Sequence, residues 1–513
     1  MNKIFSSLIF SLTILFIPYR VSAHGFGERY DLPIPLNYFL IGSSITIIVS
    51  FILIGIFVKQ KNISDKLYKE FNYTKKQNYL LRTFTFNKFS KIIQSLLKII
   101  SVTLFLITIL SGAIGIQEPY KNFSVTFVWI IWWVGMGYIN SIIGDIWNII
   151  NPWKVIFEFT TSTFRLNSYP PIFKYPKKLD AWPSVILFLL FAWTENIYDA
   201  STPYILSRLI IGYSILTWTG MFLFGKHQWI EYADPFSKFF KIMSKFSISE
   251  IKLLDLNNCK SCEFSCLENN ECIDCYSCQE ASSDNNKILK LRLPGFGLTK
   301  SLNISISTSI FILCQLSTVS FDGIVETPFW VKVQNYIFDP ISLLGPNIVS
   351  NINTLGLILF PIFFIMIYYF FTSYIYIFSN KSINATYIFK IFTLSLIPIA
   401  LAYHFAHYLS YILIQGQLII PLLSDPFGKG LNLFGSSNYS INISVINAKT
   451  AWFISLISII SGHIISILVG HIIALKIFKT QKIAIRSQYP MLFLMVFYTA
   501  LSLWIIAQPI VEN

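Results

Sequence analysis

The chain has 513 residues, of which 54% are hydrophobic and only 12% are charged, and its formal net charge is +14. A mean hydropathy of +0.59 excludes an ordinary soluble enzyme and indicates a protein that crosses a membrane many times. The positive charge does not indicate nucleic-acid binding, because lysine and arginine concentrate in alternate short loops, the pattern that orients membrane spans.

The first 23 residues have the features of a secretory signal peptide, since Lys3 precedes an apolar run that ends in Val-Ser-Ala. Cleavage after Ala23 would make His24 the first residue of the mature chain. An N-terminal histidine can chelate copper through its α-amine and its ring, so His24 is a candidate metal ligand. The alternative is a retained N-terminal anchor, because Pro18 and Arg20 interrupt the end of the apolar run.

Ten later stretches are apolar enough to cross a bilayer, which takes about 20 residues per helix. They occupy 36–57, 93–116, 123–144, 183–201, 203–224, 301–320, 353–378, 391–415, 451–475 and 490–509. The connecting segments alternate between rich and poor in lysine and arginine, which places both mature termini outside the cytoplasm. The predicted fold is all-α, a polytopic transmembrane helix bundle of about ten spans with extracytoplasmic N- and C-termini.

Four regions follow from this topology. They are the signal peptide 1–23, a first half of the bundle over 24–225, a cytoplasmic loop over 226–300 and a second half of the bundle over 301–513. The expected partners are the lipid bilayer and a metal ion, with no nucleic acid, and the sequence names no protein partner.

Between the two halves of the predicted bundle, the loop carries a cysteine-rich insert at 259–278. Its six cysteines are Cys259, Cys262, Cys266, Cys272, Cys275 and Cys278. Thiolate clusters in the cytoplasm usually hold metal rather than form disulfides. The two C-x-x-C pairs fit a zinc site. The alternative is an iron–sulfur cluster, since the last three cysteines follow C-x-x-C-x-x-C but lack the C-P of a ferredoxin motif. Cys314 lies alone in a span and is expected only to pack.

Four histidines lie inside predicted spans, where an ionisable side chain is costly and usually functional. His404 and His407 share one face of a helix, and His404 and His463 are predicted to lie near the bilayer midplane. These three are the candidate ligands of a zinc or copper ion with one open coordination position. His471 lies about 12 Å deeper than His463, so it is a separate candidate. The alternative is that the histidines only hydrogen-bond neighbouring helices.

Other polar residues of the spans complete the candidate site. Tyr403 and Tyr408 flank the histidine pair and could orient ligands or relay protons. Glu195 lies in a predicted span, where burial would suit it to act as a catalytic base, a proton carrier or a further ligand. Asp199 follows at i+4 and is expected at the interface.

Several strings together carry a resemblance to a known family. They are AHGFGERYDLPIPLNYFLIG, NPW and DPF at the loop helices, SDPFGKGLNLFG, SGHIISILVGHIIAL and IRSQYPMLFLMVFYTALSLW. The chain resembles bacterial multi-pass membrane proteins commonly labelled fenitrothion hydrolase. The resemblance implies a location in the bacterial inner membrane and hydrolysis of an aryl phosphorothioate triester. The cysteine-rich insert is not part of it.

Three functions therefore remain open from the sequence. A metal-dependent membrane hydrolase would activate water on the histidine-bound ion, with Glu195 as base. A transition-metal permease would pass the ion along a row of ligands, namely His24, His407, His404, His463, His471 and the thiolates. A membrane redox protein would hold haem between the histidines and iron–sulfur in the insert.

Overall fold

The structure is a computed structural model that describes residues 34–59, 88–165, 170–198, 200–260, 262, 266–268, 271–283, 286–300, 302–341 and 347–508. The predicted signal peptide, His24 and Asp199 lie outside these residues.

The part of the chain before the insert is helical. Its main helices are α1 (Leu36–Phe57), α2 (Lys88–Ile114), α3 (Phe123–Ile142), α4 (Pro152–Thr163), α5 (Trp182–Asn196), α6 (Pro203–Phe224) and α7 (Pro235–Ser244). Short helical turns cover Pro119–Lys121, Trp147–Ile150, Lys226–Gln228 and Trp229–Ala233. Asn151 and Asp234 begin α4 and α7 by accepting hydrogen bonds from free backbone N–H groups, and Pro occupies the first helical position of both.

The insert and the second half follow in the same order. The elements are β1 (Ser249–Leu253), β2 (Leu267–Glu268), β3 (Glu271–Cys272), α8 (Tyr276–Ala281), β4 (Lys287–Leu291), α9 (Ile306–Val325), α10 (Pro328–Ile341), α11 (Ile348–Phe378), α12 (Ala385–Ser424), α13 (Ala448–Ile477) and α14 (Gln481–Ile506). Short helical turns cover Asn257–Lys260, Phe296–Thr299 and Ile443–Val445.

Nine helices of the described residues are long and apolar enough to cross a membrane: α1, α2, α3, α6, α9, α11, α12, α13 and α14. This finding confirms the predicted multi-pass helical bundle, while the ten-span count and the orientation of the termini stay predictions. The remaining predicted span, 183–201, contains α5, which has only 15 residues. Such a helix is about 22 Å long, shorter than a hydrocarbon core of about 30 Å. It ends where the apolar sequence gives way to Thr194, Glu195 and Asn196.

Helix α9 lies at the centre of the bundle. In the most apolar 18-residue stretch of α9, 89% of the residues are buried, compared with 17% in the equivalent stretches of α1 and α11. It packs against α5, α11 and α12. Ser305 caps its start by accepting a hydrogen bond from the backbone N–H of Thr308. A span so enclosed by other helices can carry polar side chains that lipid would not tolerate.

Helices α12 and α13 pack closely because Gly462 has no side chain. A Cβ at this position would lie 2.3 Å from the Cβ of Ala402 and 2.8 Å from the carbonyl oxygen of Pro398. Small residues at such crossings let two helix backbones approach each other inside a membrane.

The folded unit around the cysteines covers 249–291 and is called the insert from here on. It departs from the predicted all-α architecture, since it contains two small antiparallel sheets. Strand β1 pairs with β4, and β2 pairs with β3. Several contacts hold the insert against the bundle, including two made by lysine side chains. The Lys154 ammonium lies 3.6 Å from the centroid of the Tyr276 ring, and the Lys226 ammonium lies 2.8 Å from a carboxylate oxygen of Glu280.

Candidate metal centre and intramembrane polar site

The six cysteines of the insert converge as the sequence predicts. Two four-membered groups have all their sulfur atoms within 4.8 Å of one another, and either group can hold a metal ion. The first group is Cys259, Cys266, Cys272 and Cys278, and the second is Cys262, Cys266, Cys275 and Cys278. All six thiols are free of disulfides.

A turn at Asp274 brings Cys272 and Cys275 together. Its φ of 51° lies in the left-handed region, which aspartate tolerates better than most residues. The side chain of Asp274 accepts a hydrogen bond from the backbone N–H of Ile251 at 2.8 Å and lies 3.3 Å from the Arg292 guanidinium. The β1–β4 sheet therefore fixes the position of the cysteine hairpin.

The sulfur separations fit tetrahedral ions that the thiolates bind directly. A zinc–sulfur bond of about 2.3 Å gives a sulfur–sulfur distance of about 3.8 Å along each edge of a tetrahedron. Four sulfur pairs lie 3.4 to 3.8 Å apart. A four-iron cluster binds each thiolate to a different iron and needs wider spacing, so this geometry favours ions bound directly by the thiolates. A hydrogen bond from Cys272, with the nearby positive charge of Lys241, lowers the pKa of Cys275 to about 5 despite burial.

A polar chamber lies between the insert and the bundle. Its volume is about 770 Å³, and its walls come from the insert, α7 and the start of α9. Cys266 and Cys275 line it. Among the described residues, seven lysine or arginine side chains and five aspartate or glutamate side chains also face it. The cysteine centre therefore borders a space large enough for a small solute.

An ion pair in the chamber wall stabilises its charged lining. The Lys241 ammonium lies 2.6 Å from a carboxylate oxygen of Glu231. Burial opposes ionisation of Glu231, but Lys241 and Lys238 together hold the pKa of this carboxyl below its usual value. Glu231 in turn keeps the pKa of Lys241 above its usual value against the effect of burial.

A second polar site lies inside the bundle, where α5, α9 and α12 meet. The His407 Nε2 and the Tyr408 hydroxyl both lie 2.8 Å from Asp322 Oδ2. The Tyr408 hydroxyl is also 3.3 Å from Glu195 Oε1. The exposed fractions of the Asp322 and His407 side chains are 17% and 18%, so both are mostly enclosed by the protein.

The Tyr408 hydroxyl has one proton for two carboxylates. When it donates to Asp322, a hydrogen bond to Glu195 requires Glu195 to carry its own proton and donate to the Tyr408 oxygen. When it donates to Glu195, a hydrogen bond to Asp322 requires a proton on Asp322, which a protonated His407 can transfer to Asp322 Oδ2. The four groups can thus hold and exchange a proton without moving any backbone.

His404 lies beside this site at the edge of a small cavity of about 30 Å³. Its Nε2 and the side-chain amide of Gln315 are buried without hydrogen-bond partners, and both residues line this cavity. Space of this size admits one or two water molecules, which would satisfy these groups. His404 therefore shares this cavity with Gln315 and Tyr408, and Trp133 and Phe239 also line it.

The structure does not bring His404, His407 and His463 together as ligands of one metal. Within the described chain, only cysteines form groups with metal-ligand spacing. His463 donates or accepts through Nδ1 at 2.8 Å from the Ile459 carbonyl oxygen, and its ring lies near Tyr498 instead. The prediction overlooked rotation about the helix axis, because equal depth in two helices does not give facing side chains.

The remaining candidates are also placed. His471 Nε2 is 2.9 Å from the Val58 carbonyl oxygen and its Nδ1 is 3.1 Å from Gln488, so it joins α13 to the end of α1 and to α14. This is the structural alternative that the sequence left open. Tyr403 stacks on His407 with ring centroids 6.2 Å apart, and its hydroxyl is buried without a hydrogen-bond partner.

No family model matches the chain, and no curated protein or solved structure gives a significant match. The function must therefore be argued from the residues themselves.

Asp322 is the functional candidate that the sequence interpretation missed. The predicted span ended at residue 320, whereas α9 begins at Ile306 and continues to Val325. The available signal was the apolar sequence Gly-Ile-Val that follows Asp322, which shows that the helix extends past this carboxylate. Serine is a common N-cap residue, so Ser305 was the sequence signal that α9 begins at Ile306 and not at residue 301.

Proposed function

We propose that this protein is a proton-translocating membrane transporter with a metal-binding insert beside its chamber. The observation that carries the proposal is a row of polar side chains along α9. Thr308 faces the polar chamber, while Gln315, Thr318 and Asp322 line the small cavity within the bundle. Glu326 follows one turn later.

The spacing of this row places it on one face of the helix. Successive members are separated by seven, three, four and four residues, which is the period of a single helical face. Thr308 and Asp322 are about 21 Å apart along the axis. Polar side chains on the most buried span are costly in a membrane and are typical of a proton or ion path.

The Glu195–Tyr408–Asp322–His407 group supplies the step that a path for protons needs. It contains two carboxylates, a phenol and an imidazole in hydrogen-bond contact. Each can accept a proton from one neighbour and pass it to the next. The cavity beside His404 and Gln315 extends from this group to Phe239 and Met243 of α7.

A transition-metal cation is the first cargo to test, because Cys266 and Cys275 line the chamber. An anion is the second cargo to test, because the same lining has more cationic than acidic side chains. The phosphotriester hydrolysis implied by the family resemblance requires metal-bound water at the histidines, and their separation gives that activity no geometric support.

The test measures proton uptake by proteoliposomes that contain a trapped pH indicator, driven by an imposed membrane potential. Parallel arms contain Zn²⁺, inorganic phosphate or neither. We expect Asp322→Asn to reduce uptake at least tenfold in the arm where the wild-type protein is active. The matched control is Glu118→Gln, which removes an exposed carboxylate paired with Lys121 outside the bundle core.

Equal uptake by wild-type protein and the Asp322 variant would contradict the proposal. So would wild-type uptake no faster than that of empty liposomes in all three arms. Dependence on Zn²⁺ or on phosphate would identify the cargo class.

A further inference from the structure

The two cysteine groups of the insert overlap, and the overlap has a defined form. Cys266 and Cys278 belong to both groups, and their sulfur atoms are 3.4 Å apart. The other four cysteines belong to one group each. Two tetrahedra that share one edge have this composition: four corners of their own and two in common.

The sequence of the insert has a matching internal symmetry. Its first half reads C-x-x-C-x-x-x-C and its second half reads C-x-x-C-x-x-C. The first cysteines of the two halves, Cys259 and Cys272, fall in one group, and the second cysteines, Cys262 and Cys275, fall in the other. The third cysteine of each half is the shared one. Equivalent cysteines therefore occupy equivalent places around an approximate twofold axis.

We propose that the insert binds two divalent metal ions of the zinc class as a thiolate-bridged pair. Cys259 and Cys272 are terminal ligands of one ion, and Cys262 and Cys275 are terminal ligands of the other. Cys266 and Cys278 each bridge both ions, so each ion has four sulfur ligands.

The charge balance of this centre agrees with its surroundings. Six thiols lose six protons as two divalent ions bind, and the resulting pair has a net charge of two minus. Lys241 and Arg292 line the chamber beside Cys275 and supply positive charge on that side. A single ion would leave two thiols of the cluster unused in a nearly buried space.

The first experiment counts metal in the full-length protein purified in detergent after saturation with Zn²⁺ and passage over a weak chelating resin. We expect two zinc ions per wild-type chain. Cys259→Ser and Cys262→Ser each remove a terminal ligand from one ion and should retain one zinc. Cys266→Ser removes a ligand from both ions and should retain less than one.

The matched control is Cys314→Ser, since Cys314 is buried in α9 away from the insert, and it should retain two zinc ions. One zinc ion per wild-type chain would overturn the proposal. Equal loss of zinc in the Cys259 and Cys266 variants would also overturn it. So would acid-labile sulfide in the purified protein, which would indicate an iron–sulfur cluster at the cysteines.

A second experiment uses only the wild-type chain, so it does not depend on whether a variant folds. Co²⁺ is added to metal-free protein while its paramagnetic resonance signal and its sulfur-to-cobalt absorption are recorded. Bridging thiolates couple two cobalt spins, so the resonance signal should rise with the first equivalent and fall with the second while absorption continues to grow. A signal that rises in proportion to absorption through two equivalents would overturn the bridged arrangement.

Both measurements are independent of proton movement through the bundle. The metal count depends on the insert, whereas the flux assay depends on Asp322, so failure of one proposal leaves the other testable.

Discussion

At the scale of single residues, the chamber wall contains buried charged side chains, each of which is paired with a group of opposite charge or a polar backbone group. Glu231 is the clearest case, because it bonds Lys241 through its side chain while its carbonyl oxygen accepts a hydrogen bond from Lys238 at 3.3 Å. Removing its charge leaves the Lys241 and Lys238 ammonium groups in a partly buried wall without the carboxylate that neutralises them. Breaking one partner of such a pair costs more than the pair itself contributes.

We expect Glu231→Gln to lower stability at pH 7 by about 1.5–3 kcal/mol, the value of a hydrogen bond to a charged group. The pKa of Glu231 is lowered in the folded protein, so its contribution is present above the unfolded value of about 4.3 and is lost as pH falls below it. The difference in melting temperature between wild-type and variant protein in detergent should therefore stay nearly constant from pH 7 to about pH 5 and shrink as the pH falls below about 4.3.

The control for this experiment is Glu118→Gln, whose partner Lys121 is exposed. It should change the melting temperature little at any pH. A wild-type-to-Glu231→Gln difference that stays constant over the same pH range would contradict the role given to this carboxylate.

At the scale of helices, the sequence was most informative about which segments form apolar helices. It was least informative about which face of each helix contacts a neighbouring helix. Apolar length predicted nine helices that the structure has, and the cysteine spacing predicted a cluster that the structure forms. It did not predict that His463 would face Tyr498 or that Asp322 would belong to α9. Hydropathy reports how much of a segment is apolar, but packing decides which of its faces meets another helix.

The α12–α13 contact gives a prediction at this scale. A methyl group at Gly462 would lie 2.3 Å from Ala402, whereas one at Gly470 on the same helix would lie 3.6 Å from the Cβ of Ser395, which is ordinary contact. We expect Gly462→Ala to destabilise the protein by about 1–3 kcal/mol, as overpacking does. Gly470→Ala should have little effect.

Both variants can be compared by thermal unfolding in the same detergent. Equal melting temperatures for the two alanine variants would mean that the close crossing at Gly462 does not limit the approach of α12 and α13. The comparison is well matched, because both substitutions remove a helical glycine from α13 and gain similar helix propensity.

At the scale of the whole molecule, the bundle and the insert differ in what holds them together. The bundle has an extensive buried apolar core, whereas four of the five buried residues in the core cluster of the insert are cysteines and the fifth is Leu253. So small an apolar core cannot offset the entropy of ordering the chain. The stability of the insert should therefore come from metal binding.

Removal of metal with a strong chelator should make the insert sensitive to trypsin at Lys252, Lys260, Lys287 and Lys290 while the bundle stays intact. Limited proteolysis of the purified protein, followed by mass measurement, would identify the cleaved sites. Restoring Zn²⁺ before adding protease should restore resistance. Equal resistance with and without metal would indicate that the insert is stable by packing alone.

The pairing of β1 with β4 has a mechanical consequence. The chain leaves the bundle after α7 and returns before α9, and the two neighbouring strands tie both connections to one small rigid body. A change in the shape of that body on gaining or losing its ions would pull on both helices at once. If ion binding changes the affinity of a solute that binds between these helices, thermodynamic reciprocity requires that the solute change the affinity for the ions by the same factor.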